Sequence, residues 1–92
     1  MKKKRVRVVI SGHVQGVFFR SFISSNAKMY NLKGWVKNRP NKKVEAVFEG
    51  DEHDVDKLVE LCRQGPPGAI VKEVDVKTDR GLEALSGFEI RH

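Results

Sequence analysis

Hydrophobic and polar residues alternate along several short stretches of the chain, which is the pattern of β-strands with one buried face. In the first stretch, Val6, Val8 and Ile10 alternate with polar or basic neighbours, and we expect Gly12 to end the strand. Similar patterns predict three more strands and a short final one, at 35–38, 44–49 and 70–76 and around Phe88 and Ile90.

Two other stretches repeat apolar residues every three or four positions, as on one face of an α-helix. We expect the first helix to begin near Ser21 and to stop at Gly34. Asp51 or Asp54 is expected to cap the second helix, and the turn at 65–68 ends it. The apolar positions are Phe19, Phe22, Ile23, Ala27 and Tyr30 in the first helix and Val55, Leu58, Val59 and Cys62 in the second.

The elements follow one another in the order β-α-β-β-α-β, with the short last strand as an addition. This order predicts the α+β class and a ferredoxin-like sandwich, an antiparallel sheet with two helices on one face. We expect residues 1–92 to form a single domain, because the chain is shorter than most domains. A turn at 39–42 joins the second and third strands, and Asn41 is expected to be its left-handed residue.

The chain is basic, with 18 Lys and Arg residues against 12 Asp and Glu residues and a net charge of +6. A positive field attracts nucleic acids, acidic membranes and small phosphates alike, so charge alone does not choose among them. Cys62 is the only cysteine, which excludes an internal disulfide and fits a reducing compartment. Because no run of about 18 apolar residues is present, we expect a cytoplasmic protein without a membrane span.

The loop between the first strand and the first helix has the composition of an anion-binding site. Gly12 and Gly16 bound it and allow a tight turn around a ligand. The helix that follows presents free backbone N–H groups at the positive end of its dipole. Arg20, at the junction, adds a planar charged group that matches two phosphate oxygens. Spacing alone leaves open an ordinary turn followed by a surface arginine.

The chain resembles the acylphosphatase family in this region. Residues 12–20 match every specified position of the family signature G-x-V-Q-G-V-x-F-R. The segment Gly34-Trp35-Val36-Lys37-Asn38 is similar to a second family segment, glycine-aromatic-valine-x-asparagine. Residues 44–50, 65–69 and 88–91 also resemble family features, so the resemblance covers nearly the whole chain.

The resemblance implies a hydrolase of acyl phosphates, which are carboxyl-phosphate anhydrides, and it implies a role for each matching residue. Asn38 would position the attacking water, and Arg20 would bind the phosphoryl group. The backbone amides that assist Arg20 would come from the loop Gln15, Gly16, Val17, Phe18 and Phe19.

One turn departs from the family pattern. Lys42 and Lys43 stand where many members have a glycine followed by serine or threonine, just before the third strand. Since Asn38 lies at the base of this turn, we expect a changed rate of turnover without loss of activity.

The chemistry of Arg20 and Asn38 restricts the substrate, because neither exchanges a proton near neutral pH. Phosphate esters of alcohols usually need a protonated or metal-bound leaving group. An acyl phosphate expels a carboxylate, whose conjugate acid has a pKa of about 4, without such help. We therefore expect an acyl phosphate as substrate, inorganic phosphate as product, and no metal or other cofactor.

Two alternatives come from other functional classes. One is a ferredoxin-like RNA-binding module, because small basic sheets of this order also recognise RNA. The other is a non-catalytic interaction domain, against which the intact pair Arg20 and Asn38 argues. RNA binding needs aromatic residues on the open sheet face, where the central strands offer Arg7, Val9, Glu45, Val47 and Glu49. Nucleic acid is therefore an unfavoured partner, and a monomer is the expected state.

The remaining reactive residues fit structural positions. Three histidines are scattered without metal-ligand spacing and are expected to be exposed: His13, His53 and His92. Cys62 falls on the apolar face of the second helix, where a buried, inert thiol is expected. Trp35 is expected in the core, although it could border the substrate entrance.

Overall fold

The computed structural model describes residues 2–92, which form two helices and five strands in the predicted order. Within this range, neither helix is long and apolar enough to cross a membrane. The elements are β1 (Lys3–His13), α1 (Phe19–Met29), β2 (Lys33–Asn38), β3 (Val44–Asp51), α2 (Glu52–Gln64), β4 (Ile70–Thr78) and β5 (Phe88–Arg91).

The five strands form one sheet in the order β4-β1-β3-β2-β5. The four longer strands pair antiparallel, as predicted. β5, the added short strand, pairs parallel to β2, so at this edge the sheet departs from the predicted antiparallel arrangement and is mixed. The segment 79–87 joins the end of β4 to the opposite edge of the sheet. β5 therefore runs opposite to β4 and in the same direction as β2.

Both helices cover one face of the sheet, with α2 against β1, β3 and β4 and α1 against β2 and β5. The alternating apolar residues of the strands meet the apolar faces of the helices, and burial of this surface is the main stabilising contribution. The ferredoxin-like sandwich is thereby confirmed. The most buried residues of the core between the sheet and the helices include Val6, Val8, Ile10, Phe19, Ile23, Val36, Val44, Ala46, Phe48, Val55, Leu58 and Cys62.

Trp35 lies on the opposite, open face of the sheet, because its neighbour Val36 points toward the helices. Trp35 is buried as predicted, with only 5% of its surface exposed, but it packs on this face and not in the core between the sheet and the helices. The cationic groups of Arg7, Lys37 and Arg91 lie 5.6, 5.3 and 4.9 Å from its ring centroid. Long basic side chains thus cover the ring and keep their charged ends toward water.

The ends of α1 differ from the prediction. The helix begins at Phe19, slightly earlier than expected, and it ends at Met29. Gly34 does not stop it, because Asn31 already takes the left-handed conformation with φ 57° and turns the chain away. Gly34 lies inside β2, where a Cβ atom would come within 1.8 Å of the Val47 carbonyl oxygen. A close approach of two strands therefore requires this glycine.

Two loop details also differ from the prediction. β1 does not end at Gly12 but continues to His13, past a register shift in its pairing with β4. In the β2–β3 turn, the left-handed residue is Lys42, with φ 67°, and not Asn41. The Arg39 N–H donates to the Lys43 carbonyl at 2.8 Å and closes a three-residue loop. In such loops the last residue takes the left-handed conformation, which explains the position of Lys42.

Candidate active site

The start of α1 is open, whereas the start of α2 is capped. Phe18 precedes α1 in the left-handed conformation, and within residues 2–92 no side chain caps this end. The first turn of α1 also contains no acidic residue. At α2, by contrast, the Asp51 carboxylate accepts a hydrogen bond from the His53 N–H at 2.9 Å, as predicted. The first-turn N–H groups of α1 and their positive dipole end are thus left for an anionic ligand or solvent.

A depression of about 230 Å³ lies at this helix start. It brings together residues from the loop, from the first turn of α1 and from the end of β2, although β2 is separated from the loop in sequence. Asn38 lies on the helix-facing side of β2, like Val36, and therefore faces the same cavity as Arg20. The lining residues are Val14, Gly16, Phe18, Phe19, Arg20, Ser21 and Asn38.

Most residues of the predicted site line this cavity, and two do not. The predicted residues in the lining are Gly16, Phe18, Phe19, Arg20 and Asn38. Gln15 and Val17 are predicted loop residues outside the lining, and Val17 packs partly buried against the core. Ser21 and Val14 line the cavity without having been predicted as site residues. The predicted helix start beside Arg20 was the available signal for Ser21.

Gln15 connects the loop to the β2–β3 turn. Its Nε2 atom donates hydrogen bonds to the carbonyl oxygens of Arg39 at 3.0 Å and Lys43 at 2.9 Å. These two carbonyls belong to the residues that close the turn directly after Asn38. The side chain of Gln15 thereby ties the loop before α1 to the turn that follows Asn38. The sequence motif assigns a role only to the backbone amide of Gln15, and this side-chain contact could not be inferred from it.

Arg20 is held by one polar contact at the rim of the cavity. Its Nη1 atom lies 3.3 Å from Nδ1 of His92, which accepts the hydrogen bond when that nitrogen carries no proton. Among residues 2–92, no carboxylate lies within ion-pair distance of Arg20, whereas Arg5, Arg7 and Arg91 are all paired with carboxylates. The guanidinium of Arg20 is thus available to an external anion. The prediction of an exposed His92 is correct, and its contact with Arg20 could not be inferred from the sequence.

Cys62 and Trp35 do not belong to this cavity. Burial raises the pKa of the Cys62 thiol to about 12, so it remains protonated and inert, as predicted. Trp35 is the aromatic residue that an RNA-binding sheet would need, but three cations cover its ring. Arg7 is also paired with Glu45 on that face, which reduces its attraction for phosphates. The open sheet face therefore does not favour base stacking.

Comparisons with known proteins agree with the geometry. The acylphosphatase family model matches residues 6–90. An acylphosphatase of Rubrobacter xylanophilus is 49% identical over 88 residues, which are 96% of this chain and 80% of the relative. One of Syntrophus aciditrophicus is 52% identical over 87 residues, or 95% of this chain and 91% of the relative. The solved acylphosphatase of Bacillus subtilis is 36% identical with a TM-score of 0.91, covering 99% of this chain and all of that chain. The chain belongs to the acylphosphatase family.

Proposed function

We propose that this protein hydrolyses acyl phosphates to a carboxylate and inorganic phosphate. One observation carries the proposal: a single cavity contains an unpaired arginine, an uncapped helix start and a carboxamide from a different strand. Arg20 and the loop amides bind the phosphoryl group, and Asn38 positions the attacking water.

The phosphoryl group requires positioning and charge stabilisation more than covalent chemistry. Its transfer passes through a loose transition state in most analyses, with charge on the equatorial oxygens. Arg20 offers two parallel N–H groups, and the first turn of α1 offers backbone N–H groups that need no reorganisation. Together they stabilise this charge within a small, partly enclosed depression.

The water is positioned from the other side of the cavity. Asn38 belongs to β2, whereas Arg20 and the amides belong to the loop and α1. A carboxamide both donates and accepts hydrogen bonds, so Asn38 orients a water while the phosphate is held by separate groups. This arrangement reduces the entropy cost of bringing water and phosphorus together.

The lining of the cavity favours an anhydride as the substrate. Of its residues in the described part of the chain, none is an acid or base that titrates near neutral pH. The lining therefore offers no group that could protonate the alkoxide leaving group of an ordinary phosphate ester, and His92 contacts Arg20 from outside the lining. A carboxylate leaves without a proton, because the pKa of its conjugate acid is about 4. The acyl phosphate is thus the substrate that this site can cleave.

The proposal includes no metal and no other cofactor, because the histidines do not have the spacing of metal ligands in the sequence. We also propose that the protein is a cytoplasmic monomer and that it does not act on nucleic acid.

Release of inorganic phosphate from acetyl phosphate by the purified protein, with and without a chelator, tests the proposal. We expect the same rate in both conditions, no release from an alkyl phosphate ester, and no release by Arg20→Ala protein purified in parallel. Activity that disappears with the chelator would refute the metal-free mechanism. Salt-sensitive RNA binding by a protein that leaves acetyl phosphate intact would favour the RNA-binding alternative.

A further inference from the structure

Phe18 is an exposed aromatic residue at the rim of the candidate active site. Its side chain is 83% exposed, yet it lines the same cavity as Arg20 and Asn38. Other large apolar side chains with high exposure, such as Met29 and Leu82, are absent from this lining. Phe18 therefore combines a place in the lining of this cavity with a largely exposed apolar side chain.

The backbone of Phe18 is also unusual. Its φ of 61° lies in the left-handed region, which bulky side chains rarely adopt. A glycine would adopt this conformation without strain, and it would remove the exposed ring. The chain thus carries both backbone strain and apolar exposure at one residue. Strain of this kind is concentrated at functional sites, so a contact made by the ring is the natural explanation to test.

The shape of the cavity indicates what the ring contacts. A volume of about 230 Å³ is less than the roughly 300–1,000 Å³ of pockets that enclose drug-sized ligands. A phosphoryl group held by Arg20 and the helix start leaves the rest of the substrate at the rim. The apolar rim residue with its surface open to that space is Phe18.

We propose that Phe18 binds the acyl group of the substrate and gives the enzyme a preference for acyl phosphates with a flat, apolar acyl group. This inference rests on the proposed function and extends it to the carboxyl side of the anhydride. A planar acyl group stacks on the ring of Phe18, whereas an acetyl group is too small to cover it.

The ratio of kcat/KM for benzoyl phosphate to kcat/KM for acetyl phosphate tests this inference. We expect the ratio to fall about three- to tenfold in Phe18→Ala, mainly through a higher KM for benzoyl phosphate. Phe18→Tyr keeps the ring and is expected to retain the ratio. Phe18→Gly, which fits the left-handed backbone, is expected to fall like the alanine variant and serves if that variant does not fold. Met29→Ala, at the far end of α1 and outside the cavity, is the matched control.

An unchanged ratio in Phe18→Ala and Phe18→Gly would overturn the inference, as would an equal fall in Phe18→Tyr. If either of these results were found while the unchanged protein hydrolysed acetyl phosphate, the role of Phe18 would fail and the proposed function would stand. If that protein released phosphate from neither substrate, both the proposed function and the role of Phe18 would fail.

Discussion

At the scale of single residues, the arginines divide into paired and unpaired groups. Arg5 on the open sheet face donates from Nε to Oδ2 of Asp79 at 2.8 Å, whereas the contact of Arg20 is a histidine nitrogen. A guanidinium that already holds a carboxylate has less to offer to another anion. This difference sets Arg20, the proposed phosphate-binding residue, apart from the arginines that hold carboxylates on the open sheet face.

Asp79 leads to a prediction about acid stability. Burial acts to raise the pKa of Asp79, but the hydrogen bond from Arg5 and the charges of Arg7 and Arg5 outweigh it. The pKa therefore lies below its ordinary value of 3.8. A carboxyl whose pKa is lowered by folding stabilises the protein above its unfolded pKa, and this contribution is lost as the pH falls through the folded pKa.

We expect Asp79→Asn to lower the free energy of unfolding by about 1–3 kcal/mol near pH 7, because a largely enclosed Arg5 loses its charged partner. The difference from the unchanged protein is expected to shrink below about pH 4. Urea unfolding at several pH values measures both effects. Asp75→Asn, an exposed change on the same side of the molecule, is the control and is expected to cost less than about 0.5 kcal/mol. A difference for Asp79→Asn that does not depend on pH would contradict this account.

Trp35 and Lys42 show which residue-level features the sequence could not predict. The alternation in β2 correctly places Val36 on the face of the sheet opposite its neighbours, but it does not predict that three cations cover the Trp35 ring on the other face. Those cations come from three different strands, so their meeting depends on strand order. Similarly, the turn composition favoured Asn41, while the length of the closed loop selected Lys42.

At the scale of elements, the site depends on how the loop before α1 is attached to the β2–β3 turn. The loop carries the proposed anion-binding groups and the turn follows Asn38, so in the proposed mechanism their relative position sets the distance between phosphate and water. Gln15 makes the side-chain hydrogen bonds described above across this junction. The sequence predicts the loop and the turn with their motifs. It does not predict that the side chain of Gln15 reaches the carbonyls of Arg39 and Lys43, which are distant in sequence.

Gln15→Ala is expected to lower kcat for acetyl phosphate more than it raises KM. The carbonyls of Arg39 and Lys43 retain their hydrogen bonds within the turn, so the turn persists while its connection to the loop is lost. We expect a stability loss of about 1–2 kcal/mol for two neutral hydrogen bonds. Steady-state kinetics and thermal unfolding measure these effects, with the exposed Gln64→Ala as control. A variant with weaker phosphate inhibition and unchanged kcat would show that Gln15 serves the phosphate and not Asn38.

At the scale of the whole molecule, the chain has a net charge of +6, and its basic residues differ in whether they have carboxylate partners. The open sheet face holds a network in which Arg5, Arg7 and Arg91 meet acidic partners. The β2–β3 turn, which Gln15 ties to the loop before α1, adds Arg39, Lys42 and Lys43. Basic residues around a cleft raise the local concentration of anionic substrates and their association rates.

We therefore expect kcat/KM for acetyl phosphate to fall several-fold as the ionic strength rises from about 0.01 to 0.15 M, since the Debye length falls from about 30 to 8 Å. Lys42→Gln is expected to make this dependence shallower, whereas Lys57→Gln, on α2, is expected to leave it unchanged. Initial rates in sodium chloride at low substrate concentration measure the dependence. An equal dependence of kcat/KM on ionic strength in the two variants would refute a local role of the β2–β3 turn in attracting the substrate.

The order and type of the elements were the most predictable features, whereas the pairing of the last strand could not be predicted. Local hydrophobic periodicity predicts each element, because each buries one face. The parallel pairing of β5 follows from the path of the segment 79–87 across the sheet, which no local pattern encodes. The site motif was readable for a similar reason: its glycines and Arg20 are adjacent in sequence, whereas His92 reaches Arg20 only through the fold.

Arg20 is proposed to bind phosphate while Asn38 positions water, and one pair of variants separates the two roles. Binding of inorganic phosphate and kcat on acetyl phosphate are measured for Arg20→Ala and Asn38→Ala. We expect Arg20→Ala to abolish turnover and to weaken phosphate binding by about 10- to 100-fold, measured by calorimetry. Asn38→Ala is expected to lower kcat by about 100-fold or more while phosphate binding stays within about twofold. Equal losses of phosphate binding in the two variants would contradict this division of roles.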